Sequence, residues 1–392
     1  MPDADADHGV SGTVARLIDA GIAAGSICWE PAVQMWRVSG YEASRALLTD
    51  RCFVSLAPGR ELPPGLPPAI EAAARRGIEV QARWMGTRDD AHLRIRAIGA
   101  APLGPRPLTR IEPGFRARAK ALLDALVARG EGDLVADFTD AFVREGFLDL
   151  MGVPARHRVT ADRCRLDVDS YARHTPGSLL RAGMMQAAMI PIFEAMLDAP
   201  APEGAVILKA AQAALADGRI DREEALSLLS VQVVAGISSS QTAVGELVLR
   251  LAADSELRAF AAADLGRLDR LVEESVRLGE HHFARPYIAL DDVVLSDRTL
   301  PAGTLFLLNS YDPNRDPGQF PDPERFDSGR QPQHLTFGAG VRRCIGRHLV
   351  HLELVIAAEA LIEAFPRLPR ACLGLDSSVG AYARAIGLNP AW

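Results

Sequence analysis

The chain carries 392 residues, 48% of them hydrophobic, with a mean hydropathy of +0.05, enough apolar material for a large core and one extended domain over residues 1–392. A formal net charge of −7 without a basic tail argues against nucleic acid or an anionic membrane surface as partner. The cysteines, Cys28, Cys52, Cys164, Cys344 and Cys372, are odd in number and form no CxxC pair, so neither a disulfide framework nor a zinc site is expected.

Met1 to Gly12 is small and acidic, without the basic start or apolar run of a leader or membrane anchor, so a cytoplasmic protein is expected. Helical spacing of apolar residues covers Ser11 to Ala24 and Tyr41 to Leu48, with a strand-like run, Val33 to Val38, between them. The proline-rich stretches Ala57 to Ala69 and Ala101 to Leu108 read as loops flanking an entrance. Helical spacing then dominates over Pro113 to Arg129, Leu134 to Leu150, Ser178 to Leu197, Gly204 to Ala216, Arg222 to Ala253, Ser255 to Ala262 and Leu265 to Leu278. Short strand-like runs follow at Tyr287 to Leu290, Val293 to Leu295 and Thr304 to Asn309. Ser310 to Gln333 is long and rich in turns, a length that in a compact domain is functional or well buttressed. A last apolar helix is predicted over Ile345 to Phe365.

The segment before that helix, Phe337-Gly338-Ala339-Gly340-Val341-Arg342-Arg343-Cys344-Ile345-Gly346, carries the most chemistry. A helix N-terminus stabilises negative charge on Cys344, and Arg342 and Arg343 add positive field. Glycines at 338, 340 and 346 let the backbone pass close to a flat macrocycle, which suits a thiolate ligand to haem iron. Taken alone, Cys344 is more simply a buried structural cysteine after a turn. Its company points elsewhere. Glu274 and Arg277, three apart, share one helix face. They are followed by Asn314-Arg315-Asp316-Pro317, by Phe320-Pro321-Asp322-Pro323-Glu324-Arg325-Phe326-Asp327, and by His334-Leu335-Thr336-Phe337-Gly338.

In this order and spacing the segments resemble the cytochrome P450 superfamily, specifically its soluble bacterial members, over almost the whole chain. The resemblance implies a mainly α fold with small β-sheets, shaped as a triangular prism, with haem b between a long distal helix and the proximal cysteine loop and helix. It makes Cys344 the axial ligand of the iron, Phe337 the aromatic beside the sulfur, and Gly346 part of the same haem-binding loop. It assigns Glu274 and Arg277, with Arg325, to pinning the cysteine loop, a structural duty. His92 and Arg96, four apart, and Arg285 and Arg342 match the cations that hold the two haem propionates. It further implies a substrate pocket lined by Trp84, Met85, Val233, Val234, Ile237, His282, Phe283 and Tyr382.

The chain departs from the family in Ala235-Gly236-Ile237-Ser238-Ser239-Ser240-Gln241-Thr242, where an acid followed by an alcohol is the family's proton relay. Ser238 stands at the acid position and Ser239 at the alcohol position. A hydroxyl passes a proton on but has no carboxylate to supply one near operating pH. The catalytic hydroxyls are therefore expected to be Ser238, Ser239 and Thr242 with ordered water. A substrate bringing its own hydroxyl, or peroxide as oxidant, would relieve the same need. The expected function is a haem-thiolate oxidase or monooxygenase that tailors a bacterial secondary metabolite, with oxidative coupling of Tyr or Trp rings in a cyclic dipeptide or short peptide as the particular suggestion. Hydroxylation or epoxidation of a small hydrophobic metabolite, and a catalytically silent binding module, are the alternatives. Electrons are expected from a ferredoxin and a ferredoxin reductase, docking on Arg330, Arg343, Arg347, His348 and His351 of a monomer.

Overall fold

The computed structural model describes residues 10, 12–55, 62–85, 89–163, 176–279 and 284–373. In chain order come α1 (Gly12–Ala23), β1 (Ile27–Glu30), β2 (Met35–Val38), α2 (Tyr41–Thr49), β3 (Phe53–Ser55), α3 (Pro68–Met85), α4 (Asp89–Ala100), α5 (Pro105–Arg129) and α6 (Ala141–Met151). They are followed by α7 (Pro176–Asp198), α8 (Val206–Ala216), α9 (Arg222–Gly236), α10 (Ser238–Ala253), α11 (Ser255–Ala263) and α12 (Leu268–Leu278). The strands β4 (Ala284–Ala289), β5 (Val293–Val294), β6 (Thr299–Leu300) and β7 (Leu305–Asn309) precede α13 (Arg347–Ala364) and the short α14 (Arg370–Leu373). The mainly α fold with small sheets is as expected. The chain falls into two compact units, one of residues 1–56 with 276–344, the other of residues 57–275 with 345–392.

The first unit is built on a five-stranded sheet in the order β1-β2-β7-β4-β3. β1 and β2 form an antiparallel hairpin, β2 runs parallel to β7, and β4 is antiparallel to both β7 and β3. Along β7 the alternation turns Phe306 and Leu308 inward, where they join Ile18, Ile27, Val38, Leu47, Phe53 and Phe320. Each such side chain withdraws apolar surface worth about 1.5–3 kcal/mol. β1, β3 and β6 escaped sequence reading because runs of two to four residues carry too little period-2 signal, and their partners settle them.

The second unit is helical. α9 opens on a capping box in which the Asp221 carboxylate accepts from the Glu224 amide (2.7 Å) and Glu224 from the Asp221 amide (3.0 Å). Arg94 then grips Glu224 (2.7 and 2.9 Å), and Arg76 of α3 grips Glu223 through both oxygens (2.6 and 2.7 Å). Three expectations are corrected here. Pro68–Met85 is a helix that takes in the last two residues of the loop expected over Ala57 to Ala69, and its Gly77 lets α3 touch α7. A Cβ at Gly77 would lie 1.9 Å from the Gly183 carbonyl oxygen. The stretch Ala101 to Leu108 is a 3-10 turn running into α5, since prolines at helix starts are preorganised rather than disruptive. The single helix expected over Arg222 to Ala253 is two, α9 and α10, parted at Ile237 (φ −110°, ψ −63°).

Replacing Gly77 by Ala is expected to destabilise the fold by about 1–3 kcal/mol in urea or thermal unfolding, because backbone must move to admit the methyl group. Gly114→Ala in α5, where a Cβ meets nothing within 4 Å, is expected to stabilise it by about 0.5–1 kcal/mol.

Candidate active site

In the first unit the cysteine loop is held from within. The Cys344 amide donates to the Phe337 carbonyl (2.8 Å), Gly338 to Leu335 (2.8 Å) and Arg343 to Gly340 (3.2 Å). Gly338 (φ 68°) and Gly340 (φ 65°) take left-handed backbone, and a Cβ on Gly340 would press on the Leu48 carbonyl oxygen at 2.7 Å. The result is a loop that leaves Cys344 exposed rather than buried, in contrast to Cys52 and Cys372. Burial, with Asp291 beside it, pushes the Cys52 thiol up to about 12, so it holds its proton.

Beneath this loop lies Arg277, fully buried, whose Nη1 donates to the carbonyls of Asn314 (2.8 Å) and Pro323 (2.7 Å) and whose Nη2 donates to that of Arg325 (3.3 Å). Its guanidinium also sits 5.0 Å over the Phe320 ring. Arg325 was expected to contribute its guanidinium; it contributes its carbonyl oxygen, and the residue is exposed. Glu274 is fully buried. Asn314, missed as a site residue, passes the anchor on: its Oδ1 accepts from the Leu335 amide (2.7 Å) and its Nδ2 donates to Thr336 Oγ1 (2.7 Å). Thr336 in turn donates to the Val276 carbonyl (3.0 Å). Lying in Asn-Arg-Asp-Pro, Asn314 reads as a turn residue, and only its 0% exposure reveals the other duty. The long stretch Ser310 to Gln333 is thus well buttressed, as its length suggested.

Arg285 and Arg342 converge on Tyr287, where both positive charges oppose the burial that raises its phenol pKa. Two cations gathered at Tyr287, one of them two residues before an exposed thiol, make a donor set suited to a thiolate-bound macrocycle carrying carboxylates.

In the second unit, α9 and α10 are buried along their length except for one stripe. After Arg222 the only exposed residues in these two helices are Ala235, Ser239 and Thr242, four and three apart on one face. Ser239 Oγ donates to the Ala235 carbonyl (3.2 Å) and Thr242 Oγ1 to the Ser238 carbonyl (3.1 Å). Each hydroxyl hydrogen is therefore turned to the backbone, and the oxygen presents lone pairs outward. Ser238 Oγ is buried with no hydrogen-bond partner. Gly236 fixes the break, since a Cβ there would meet the Phe147 ring at 2.0 Å.

His92 is buried with its ring stacked on Trp84 (6.1 Å, 26°), and Arg96 is half-buried one turn on. The Trp84 amide donates to Ser227 Oγ (3.0 Å), so Trp84 is packed into the unit. Met85 is half-buried. Val233, Val234 and Ile237, expected to line a pocket, are turned into the helix packing; the exposed wall is Ala235, Ser239 and Thr242. His282, Phe283 and Tyr382 lie outside the described residues. Of the cations expected to greet a redox partner, His351 is tied to Glu273 (2.9 Å) and Asp269 (3.1 Å), which raise its pKa, and Arg330 donates to the Pro321 carbonyl (3.0 Å). Gly346 precedes α13, which starts at Arg347 rather than Ile345.

The sequence profile described as Cytochrome P450 matches residues 248–370. The mycinamicin IV hydroxylase/epoxidase of Micromonospora griseorubida is 30% identical over 359 residues, spanning 88% of this chain and 85% of that one. The cytochrome P450 monooxygenase PikC of Streptomyces venezuelae is 28% identical over 354 residues, 88% of this chain and 80% of that one. In fold the chain is similar to P450BioI in its complex with an acyl carrier protein ligated to hexadec-9Z-enoic acid, with a TM-score of 0.77, 23% identity and coverage of 89% and 91%. Among the described residues no helix is long and apolar enough to cross a membrane.

Asn314→Ala would strand the buried Leu335 amide, so a loss of about 1–3 kcal/mol in thermal unfolding is expected, with weakened haem retention on gel filtration.

Proposed function

The chain belongs to the cytochrome P450 family, whose members bind haem b through a cysteine thiolate, and from that premise we propose that it is a monooxygenase inserting oxygen into a bacterial secondary metabolite, with Cys344 as the ligand and residues 1–392 acting as one domain. The observation that carries the proposal is the exposed Cys344 on a loop held through Asn314 and the buried Arg277. A binding module that needs no iron has no use for an exposed thiol so held.

Bound haem supplies the redox chemistry by which one atom of dioxygen enters a substrate and the other leaves as water. The rest falls to the chain. His92, Arg96, Arg285 and Arg342 match the family's propionate-binding positions and would neutralise the two carboxylates. Phe337 fixes the turn of the Cys344 loop through its carbonyl. Ser239 and Thr242, their hydrogens engaged by main-chain carbonyls, offer acceptor oxygens that hold and orient water, while Ser238 keeps a buried hydroxyl beside them. Trp84, Met85 and Ala235 belong to the surroundings that shape an apolar substrate. Electrons come from a ferredoxin and its reductase, the partners typical of bacterial members of the family.

Hydroxylation or epoxidation is supported by the similarity to the mycinamicin IV hydroxylase/epoxidase. One observation favours a second reading, coupling of aromatic rings: the exposed stripe holds hydroxyls and no carboxylate, and a phenol or indole substrate brings a proton of its own.

The test is mass spectrometry of products formed under isotopically labelled dioxygen with a surrogate ferredoxin pair and a panel of macrolide, cyclic dipeptide and short-peptide substrates. Gain of one labelled atom is the expected result. Loss of two hydrogens with no label would transfer the assignment to coupling. Ser239→Ala is expected to lower turnover by about 10–100-fold, and an unchanged rate would remove that hydroxyl from the path.

A further inference from the structure

His351, in the second turn of α13, meets carboxylates of α12 at both ring nitrogens: Nδ1 lies 2.9 Å from Glu273 Oε1 and Nε2 3.1 Å from Asp269 Oδ1. A neutral imidazole donates from one nitrogen and offers a lone pair from the other, so both contacts are attractive only in the imidazolium. Without the second proton a lone pair would face a carboxylate at hydrogen-bonding distance. The charge is not favoured by its place on α13, whose first turn already carries Arg347 and His348 and whose N-terminus is the positive end of the helix dipole. The carboxylates of α12 offset that cost. Asp269 and Glu273 are one turn apart on α12, and Arg277 follows one turn later. The stripe that meets His351 therefore leads to the guanidinium caged by the carbonyls of Asn314, Pro323 and Arg325.

We infer that His351, in its charged form, ties α12 to α13 and so fixes the two helices that bracket the cysteine loop, which makes it a positioning residue for the Cys344 thiolate and makes haem ligation dependent on pH. On one side Arg277 lies one turn beyond Glu273; on the other, Gly346 of the cysteine loop directly precedes α13. Loss of the proton replaces one hydrogen bond with a repulsion and loosens the pair of helices. It also leaves Asp269 and Glu273 as two uncompensated negative charges at a partly exposed site. His351 touches no reacting atom. The inference rests on the reading of Cys344 as the haem ligand and deepens it.

Glu273 foremost, and then Asp269, raise the His351 pKa against the burial that lowers it. The stability the bridge contributes is therefore complete below the unfolded imidazole value, about 6.5, and is lost as pH rises through the higher folded value. Of the other elements packed on α13, α5 turns Arg116 to Glu359, α11 sets Arg258 over the Phe365 ring, and α10 carries Glu246 and Arg250. On α13 itself the basic neighbours are Arg347 and His348. Glu353, buried in the same helix and pushed up to about 8 by that burial, titrates across part of the same range and is common to every variant used below.

The test holds the full-length, haem-loaded protein in mild urea at pH values from about 6 to about 9 and follows loss of thiolate ligation by the red-shifted carbon monoxide Soret band of reduced samples. In the wild type the band is expected to be lost about 10-fold faster at the top of that range than at the bottom. His351→Gln, which carries no charge, is expected to lose it at the fast rate throughout, within about twofold. His351→Arg, a fixed cation whose fork can donate to both carboxylates, is expected to keep the slow rate throughout, within about twofold. A wild-type pH dependence surviving in either variant would overturn the inference. So would variants that shift the unfolding midpoint by circular dichroism equally at every pH, the mark of a merely structural side chain. If His351→Gln does not fold, the double variant Asp269→Asn, Glu273→Gln decides: its amides accept from a charged imidazole and donate to a neutral one, so a rate varying by less than about twofold is expected and the wild-type ratio would overturn the inference. A wild type with no thiolate band at any pH would instead overturn the reading of Cys344 as ligand, and the unfolding midpoints would still show whether the His351 bridge is lost as pH rises.

Discussion

A guanidinium withdrawn from water is the interaction on which the cysteine loop depends. Arg277 surrenders its hydration to a cage of main-chain carbonyls from Asn314, Pro323 and Arg325 and to the face of Phe320. A cation buried so completely is stable only where its donors are met, so the carbonyls cannot drift without stranding charge. That fixes a stretch with almost no secondary structure of its own. From Asn314 the order passes to Leu335 and Thr336, and two glycines with left-handed backbone then turn the chain so that Cys344 is presented outward. Rigid support beneath and exposure at the tip are what a ligand loop requires.

The other half of the chemistry follows from a helix that is broken rather than continued. Three successive serines, a glycine that cannot carry a side chain against Phe147, and hydroxyls bonded back to carbonyls weaken the ladder at Ile237. The break leaves a narrow polar stripe on an otherwise buried element. Hydroxyls alone conduct protons and do not store them.

Much of this was legible in the sequence because its signals are local or rigidly spaced. The order of Glu274, Arg277, the Pro-Asp-Pro-Glu-Arg-Phe run and the Gly-rich cysteine segment survives any uncertainty about element ends, and most long helices announced themselves by period. Contacts that depend on tertiary partners were not legible. The helix over 68–85 went unassigned, and the place of its Gly77 is explained only by closeness to Gly183, while the prolines of 101–108 read as a loop because a helix start and a loop use the same residue. The role of Arg325 was misread because a motif names side chains while the contact is made by a carbonyl. Val233 and Ile237 were placed at the pocket wall by resemblance alone, and their burial puts them in the helix packing.

The account turns on Cys344 as a thiolate ligand, and the visible spectrum of the purified, reduced protein under carbon monoxide addresses it most directly. A Soret band shifted far to the red, lost in Cys344→Ser while that variant still folds, is the predicted result. Protein that folds yet takes up no haem, or a wild-type band identical to that of Cys344→Ser, would contradict it.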